Sequence, residues 1–241
     1  MPLYLPPASS GNTTYTTAYA SPPGSPSNGD VWMPSDGAGL IFVRVSGAWV
    51  PYYRGDQATT VPNAASWTWY NQNSSTITDT KGGLLFVSGG SSSTNSSLIY
   101  KSLVSATPYT LTACIVAQPP CGGSADWGLT VRESSSGKYQ SLSYQNGTMY
   151  VFNWTNNTTV AVQASVGIGG GTGALAPTWF QIEDNGTNRI FRAGQSKGTL
   201  RQLFSISRTT FCTPDGWGFS LDNQGAVSPY TAVMIYSASE A

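Results

Sequence analysis

From residue 64 to the C-terminus this chain alternates apolar and polar residues in short runs, each cut off by turn residues. Strand neighbours point to opposite faces, so a period of two is a pleated-sheet signature. No stretch keeps a helical apolar period for the about 10–12 residues a helix needs. Strands are expected at 66–71, 75–79, 83–88, 97–103, 108–117, 125–133, 138–145, 148–154, 158–163, 178–184, 188–194, 199–207, 216–222 and 229–237. Turn chemistry separates nearly all of them, as at Asp79-Thr80-Lys81-Gly82-Gly83, Ser134-Ser135-Ser136-Gly137, Asn185-Gly186, Lys197-Gly198 and Pro214-Asp215-Gly216. Asn146-Gly147 carries the strongest short hairpin signal. Trp127, Leu129 and Val131 share one face against Asp126, Thr130 and Arg132, and Trp217, Phe219 and Leu221 stand opposite Ser220 and Asp222. Such faces need a second sheet to cover them. An all-β, two-sheet antiparallel sandwich is expected, each sheet with about six or seven strands, a size that needs no disulfide.

The 241 residues fit one such domain plus a small appendage. Only 9% of them are charged, yet eight Trp and thirteen Tyr are spread throughout, so the chain is not compositionally disordered. Zero formal net charge and eleven scattered cations exclude a basic nucleic-acid face. The start, Met1-Pro2-Leu3-Tyr4-Leu5-Pro6-Pro7, does not read as a signal peptide, and no window reaches the about 20 apolar residues of a membrane helix. A protein made in a cytoplasm and used without export is expected. Eight Asn-x-Ser/Thr sequons, among them Asn73 and Asn153, are what so much Asn, Ser and Thr supplies by chance. Cys114 lies in an apolar run and reads as a buried thiol, while Cys121 and Cys212 leave room for a bridge.

Residues 1–29 hold Pro2, Pro6, Pro7, Pro22, Pro23 and Pro26 with no apolar period. They read as an extended arm, laid along a partner or left as a tail. Residues 30–63 form a small meander: Asp30–Met33, Gly39–Val45 and Ala48–Tyr52 are strand candidates, joined by Pro34-Ser35-Asp36-Gly37 and Ser46-Gly47. With Trp32 and Trp49 as its large anchors, this unit is expected to pack on something. Residues 64–241 are the sandwich.

The string Pro26-Ser27-Asn28-Gly29-Asp30-Val31-Trp32, followed by Leu40-Ile41-Phe42-Val43 and Gly47-Ala48-Trp49-Val50, resembles a hairpin module of bacteriophage fibre, tail and capsid-associated proteins. That resemblance implies an attachment module built on Asp30, Trp32 and Trp49. A second resemblance, to the concanavalin A-like lectin/glucanase jelly roll, is carried by Tyr109–Ala113, Ala125–Val131, Thr178–Asp184, Gly216–Phe219 and Tyr230–Val233. Together they imply a structural protein on a phage particle, a capsid decoration or head fibre or a short tail fibre. Virion proteins would be its partners through the N-terminal region, and it would be a homo-oligomer, as a trimer in such fibres.

Glucanases of that fold carry Glu-x-Asp-x-x-Glu, which this chain lacks. Glu183 and Asp184 are adjacent and must face opposite sides of a strand, and Asp215 and Asp222 are the nearest remaining acids. With no His, Ser-His-Asp and Cys-His catalysis are excluded. The glycine run from Gly167 to Gly173 lacks the Lys-Ser/Thr of a phosphate loop. No enzyme activity and no cofactor are expected, and no zinc site can be assembled. Asp222-Asn223 and Asp184-Asn185 could donate to calcium but are also ordinary turn chemistry.

A sugar presents an apolar face to an aromatic ring and hydroxyls to amides and acids. Trp179, Gln181 and Glu183 share the parity opposite Phe180 and Ile182, so they would form an outward polar patch with one ring. Trp67-Thr68-Trp69-Tyr70 offers a second platform through Trp67 and Trp69. Burial in a sandwich core or rim is the commoner place for each Trp. The alternatives to the structural reading are a host-glycan-binding adhesin, a polysaccharide depolymerase acting through Glu183 or Asp184, and a secreted eukaryotic lectin glycosylated on its sequons.

Overall fold

A computed structural model describes residues 13–17, 21–32, 42–51, 61–80, 82–89, 94–118, 125–168, 178–223 and 231–241. The turn at 34–37, the glycines beyond Ile168 and Cys121 lie outside them. The chain divides into two compact units, Met1–Val61 and Pro62–Ala241.

The first unit is a four-stranded sheet of β1 (Thr14–Tyr15), β2 (Val31–Trp32), β3 (Phe42–Val45) and β4 (Ala48–Pro51), in that order. Thr14–Tyr15, inside the segment read as an extended arm, pairs in parallel with β2. The reason is local: the Asp30 carboxylate accepts from the backbone N–H of Thr13 at 2.7 Å and of Ser27 at 2.8 Å, tying the arm to the meander. These bonds hold the Asp30 carboxyl below the usual carboxylate range. Trp32 is buried, its ring 5.2 Å from Phe42 and 5.6 Å from Trp49. Ser46 (φ 47°) and Gly47 (φ 81°) make the two-residue β3–β4 turn, whose left-handed pair of residues matches strand twist.

The second unit holds fourteen strands, β5 (Thr68–Asn71), β6 (Thr76–Thr80), β7 (Gly83–Val87), β8 (Ser97–Ser102), β9 (Tyr109–Gln118), β10 (Asp126–Arg132), β11 (Tyr139–Gln145), β12 (Thr148–Asn156), β13 (Thr159–Gly167), β14 (Trp179–Asp184), β15 (Asn188–Gly194), β16 (Arg201–Ser207), β17 (Gly216–Asp222) and β18 (Ala232–Glu240). The front sheet runs β13-β12-β11-β10-β17-β8-β5 and the back sheet β16-β15-β14-β9-β18-β7-β6, each seven strands. The pairings of these strands are antiparallel, as a two-sheet jelly roll requires. Each of the fourteen strands expected from residue 64 onward therefore has its counterpart in the sandwich, although β10 and β17 are buried on both faces rather than one. Asn146 (φ 43°) and Gly147 (φ 81°) form the β11–β12 turn expected from their sequence.

Between the sheets, Trp127, Leu129, Val131, Trp217, Phe219 and Leu221 of the front sheet meet Leu111, Phe180, Ile182, Phe191 and Ile235 of the back sheet in one apolar core. Burying each such side chain contributes about 1.5–3 kcal/mol. One end of this inner layer is polar. Arg189, on the same strand face as Phe191, is fully buried and donates to Gln140 Oε1, to Arg208 O at 2.8 Å and to Cys212 O at 3.3 Å. Asp184, also fully buried, pairs with Arg208 Nε at 3.3 Å. Burial pushes the Tyr109 phenol beside them up to about 12, against the opposing pull of Arg189. Burial likewise pushes the Cys212 thiol up, so it stays protonated, and Cys114 is buried.

Glu240 fastens the C-terminal strand. Its carboxylate accepts from the backbone N–H of Val104 at 2.6 Å and Ser105 at 2.5 Å, and from the Trp217 indole at 2.7 Å. Burial disfavours the charge, but these donors outweigh it and hold the carboxyl below its usual value. A depressed folded-state value stabilises the protein above the unfolded carboxyl's value, about pH 4.3, and the contribution is lost as pH falls through the folded value. In pH-dependent urea unfolding, Glu240→Gln should therefore lower stability at pH 7 and flatten its decline below about pH 4.3. An undiminished acid slope in the variant contradicts this assignment.

Candidate functional site

The front sheet's second face, turned away from the core, is not bare. Alternation sends Gly128 and Thr130 of β10, Ser141 and Ser143 of β11, and Gly218 and Ser220 of β17 to this side, all of them buried or tightly packed. Thr130 Oγ1 donates to Ser220 Oγ at 3.1 Å and Ser143 Oγ to Ser141 Oγ at 2.9 Å. A Cβ on Gly218 would collide with the Ile99 carbonyl oxygen, and one on Gly128 with that of Leu142. These positions form a low, hydroxyl-lined strip that only small side chains fit.

Aromatic rings lie across this strip. Tyr150 and Phe152 stack at 4.7 Å, Phe152 meets Trp154 edge-on at 6.1 Å, Trp154 stacks on Tyr139 at 5.4 Å, and Tyr139 meets Tyr70 edge-on at 6.2 Å. The ribbon continues through the Arg132 guanidinium, 4.3 Å from the Tyr70 ring and 4.5 Å from that of Tyr100. Phe152, Trp154 and Tyr139 are buried, whereas Tyr150 at one rim and Tyr70 and Tyr100 at the other are half-buried. The Trp154 indole donates to Ser141 Oγ at 3.3 Å.

Two carboxylates stand on the same face. Asp126 of β10 and Asp222 of β17 are directly opposed in the antiparallel ladder and fully buried. Opposed residues place their Cβ atoms about 4.5–5.5 Å apart. Burial raises the Tyr139 phenol well above its usual range; the Ser96 hydroxyl opposes that rise, and both acids add to it.

An amide clasp roofs the centre. Asn95 Oδ1 accepts from Asn71 Nδ2 at 2.9 Å and from Asn157 Nδ2 at 2.7 Å, and Asn95 N donates to Asp222 Oδ1 at 3.4 Å. Ser96 N donates to Asn157 O at 2.8 Å. The tip of the β12–β13 hairpin is thereby tied to the start of β8, over the acids. The sequence reading missed this site because its members come from six strands and two turns. The one legible signal was the polar parity of Asp126 and Asp222.

The residues singled out by sequence lie elsewhere. Trp179 has the expected outward parity on the back sheet but is only 2% exposed, so its ring is not offered to solvent. Gln181 and Glu183 stand beside it half-buried, and both accept from Arg192 Nη1, which neutralises Glu183. Asp184 faces the opposite way, into the sandwich, as strand parity demands. Trp67 and Trp69 do not form an outer platform: Trp67 packs on Trp217 at 5.3 Å and Phe219 at 5.0 Å, and Trp69 meets Phe86 edge-on at 5.7 Å. Their parity turns inward, and it is Tyr70 that faces outward. Lys101 covers the Trp67 and Trp217 rings at 5.1 and 4.5 Å. Asp30 and Trp32 are buried within the N-terminal unit, and Trp49, half-buried, packs against Trp32.

Among the described residues no three His, Cys, Asp or Glu side chains gather as a metal site. Asn223 Oδ1 accepts from Thr231 Oγ1 at 2.6 Å, and Asn185 Oδ1 from Thr187 N at 3.0 Å and Asn188 N at 2.8 Å, so both amides suggested for calcium are engaged by protein donors.

No family model and no curated protein matches the chain. Solved structures resemble the sandwich. The GH43 protein BlXynB of Bacillus licheniformis is 13% identical with a TM-score of 0.54 over 80% of this chain and 40% of that one. A functionally unknown protein from Saccharomyces cerevisiae is 11% identical with a TM-score of 0.50 over 73% of this chain and 96% of that one. The carbohydrate-binding module CBM66 from Bacillus subtilis is 16% identical with a TM-score of 0.48 over 73% and 94%. The class that the two facing sheets define is the concanavalin A-like jelly roll, and at these identities the likeness is one of fold.

If the clasp holds the roof, Asn95→Ala should lower the unfolding free energy by about 1–3 kcal/mol and speed hydrogen exchange at Ser96 and Thr158. Unchanged exchange at both amides would mean that other contacts keep the roof shut.

Proposed function

We propose that the sandwich recognises a carbohydrate on the outward face of its front sheet, without transforming it. The observation that carries this reading is the ring ribbon from Tyr150 to Tyr70 and Tyr100, lying beside hydroxyls, amides and the Asp126–Asp222 pair on one sheet face. Rings suit the apolar face of a pyranose, and the amides Asn71, Asn95 and Asn157 suit its hydroxyls. The half-buried rims, Tyr150 on one side and Tyr70 with Tyr100 on the other, are where a glycan makes first contact. A fold that also occurs in a protein described as the GH43 BlXynB protein is compatible with sugar recognition.

Non-catalytic binding is preferred because both acids on this face are fully buried beneath the clasp. The depolymerase reading through Glu183 or Asp184 has less support, since the two point to opposite sides and each is paired with an arginine.

In the same proposal the N-terminal unit attaches the sandwich to a virion and the sugar is a host surface glycan. This placement rests on the resemblance of residues 26–50 to phage attachment modules, and electron microscopy of purified particles labelled on the sandwich tests it. Label on the capsid exterior or tail supports it, and its absence from particles refutes it.

Screening the full chain against bacterial surface polysaccharides by affinity electrophoresis should identify a retarding glycan. Tyr150→Ala and Tyr70→Ala should each weaken that binding at least about tenfold, equivalent to ~1.4 kcal/mol. No reducing sugar should be released. Full-strength binding by both variants, or measurable release, overturns the reading.

A further inference from the structure

The sandwich has four sheet edges, and three of them are guarded. On the back sheet, β6 carries Asp79 and β16 begins with Arg201; on the front sheet, β5 has four residues and a register shift against β8. Charges, shortness and irregularity are the usual devices that stop an edge from pairing with another chain.

The fourth edge, β13, has none of the charged or proline guards. Its nine residues, Thr159–Gly167, contain no charged side chain and no proline, and most are exposed. The large apolar side chains exposed among the described residues are Val104, Val162, Val166 and Ile168, so three of the four belong to β13 or the residue after its end. Two register shifts, between Val151 and Phe152 and between Trp154 and Asn156, interrupt the first part of its ladder with β12 and set Gln163 out of it. They leave Ala164–Gly167, with Ile168 beyond, as a regular run whose outer edge meets no strand among the described residues.

We propose that β13 is the contact through which two copies of this chain associate, their β13 strands pairing antiparallel across a two-fold axis to join two front sheets. An isologous contact requires a patch that complements itself. An uncharged strand does so: its backbone donors and acceptors meet those of its copy, and Val162, Val166 and Ile168 meet apolar side chains rather than like charges. Zero net charge on the whole chain adds no repulsion between copies. Nine residues extend about 30 Å. A strip of that length and one sandwich wide covers less than the ~800 Å² per partner of a standard stable interface. The dimer is therefore reversible and concentration-dependent.

Sedimentation velocity of the full chain over a 100-fold range around ~10 μM tests this, with Val162→Lys/Val166→Lys as the probe and Thr76→Lys on β6 as control. Both variants change exposed positions, and matching thermal unfolding curves establish that they fold. The wild type and Thr76→Lys should shift from monomer to dimer with rising concentration, and the double variant should remain monomeric. A wild type that stays monomeric throughout, or a double variant that associates as the wild type does, overturns the proposal. So does an assembly that Thr76→Lys abolishes, because it would run through β6.

Discussion

The centre of the front sheet, β10, β11 and β17, is buried on both faces, and that double burial organises the rest of the sandwich. On its inner side, Trp127, Leu129, Val131, Trp217, Phe219 and Leu221 supply the apolar core that holds the two layers together. On its outer side, Leu98, Tyr139, Phe152 and Trp154 form a second, smaller cluster. A strand buried on one face alternates apolar and polar, but here the polar positions are occupied by glycine, serine and threonine small enough to let rings settle over them. Gly128 and Gly218 are the tightest points, since any side chain there meets a neighbouring strand's carbonyl. The tightness is local to the sheet centre. It explains why the rings meet solvent only at the two rims.

Polar groups inside the molecule follow the same economy of partners. Arg189 and Asp184 lie in the inner layer, where an unpaired charge is strongly unfavourable. Arg189 donates through Nη1 and Nη2 to Gln140 and two backbone carbonyls, and Asp184 accepts from Arg208 and the Gly186 N–H. Across the front sheet, the Asn71–Asn95–Asn157 clasp performs the corresponding service for the β12–β13 hairpin tip. Side-chain amides both donate and accept, so one asparagine can bridge two segments without adding charge. That is a structural reason for the abundance of asparagine in a chain so poor in ions.

Strand existence was legible in the sequence because alternation and turn chemistry are local. Asn146-Gly147 is the clearest instance: its two left-handed residues are what a two-residue hairpin needs. Not every strand end was legible: β13 runs to Gly167 where 158–163 was expected, and β18 spans Ala232–Glu240 where 229–237 was expected. Which Trp would be exposed was not legible, because exposure depends on what the rest of the chain lays over a face. Trp179 has the outward parity assigned to it and is nevertheless covered. Trp67 and Trp69 went the other way, since β5 lies at an edge and nothing in four residues tells which face meets the core. The ribbon escaped notice for a related reason. Tyr70 and Tyr139 are far apart in sequence and meet only in the folded sheet, and Tyr150 joins the ribbon only through Phe152 and Trp154.

The most direct test of sugar recognition on the outward face is a hydrogen-exchange footprint of the full chain with and without a saturating bound glycan. Protection concentrated at residues 68–71, 95–101 and 148–157 is the predicted result. Protection confined to the back sheet or to the N-terminal unit contradicts it, because the ligand would then have bypassed the rings altogether.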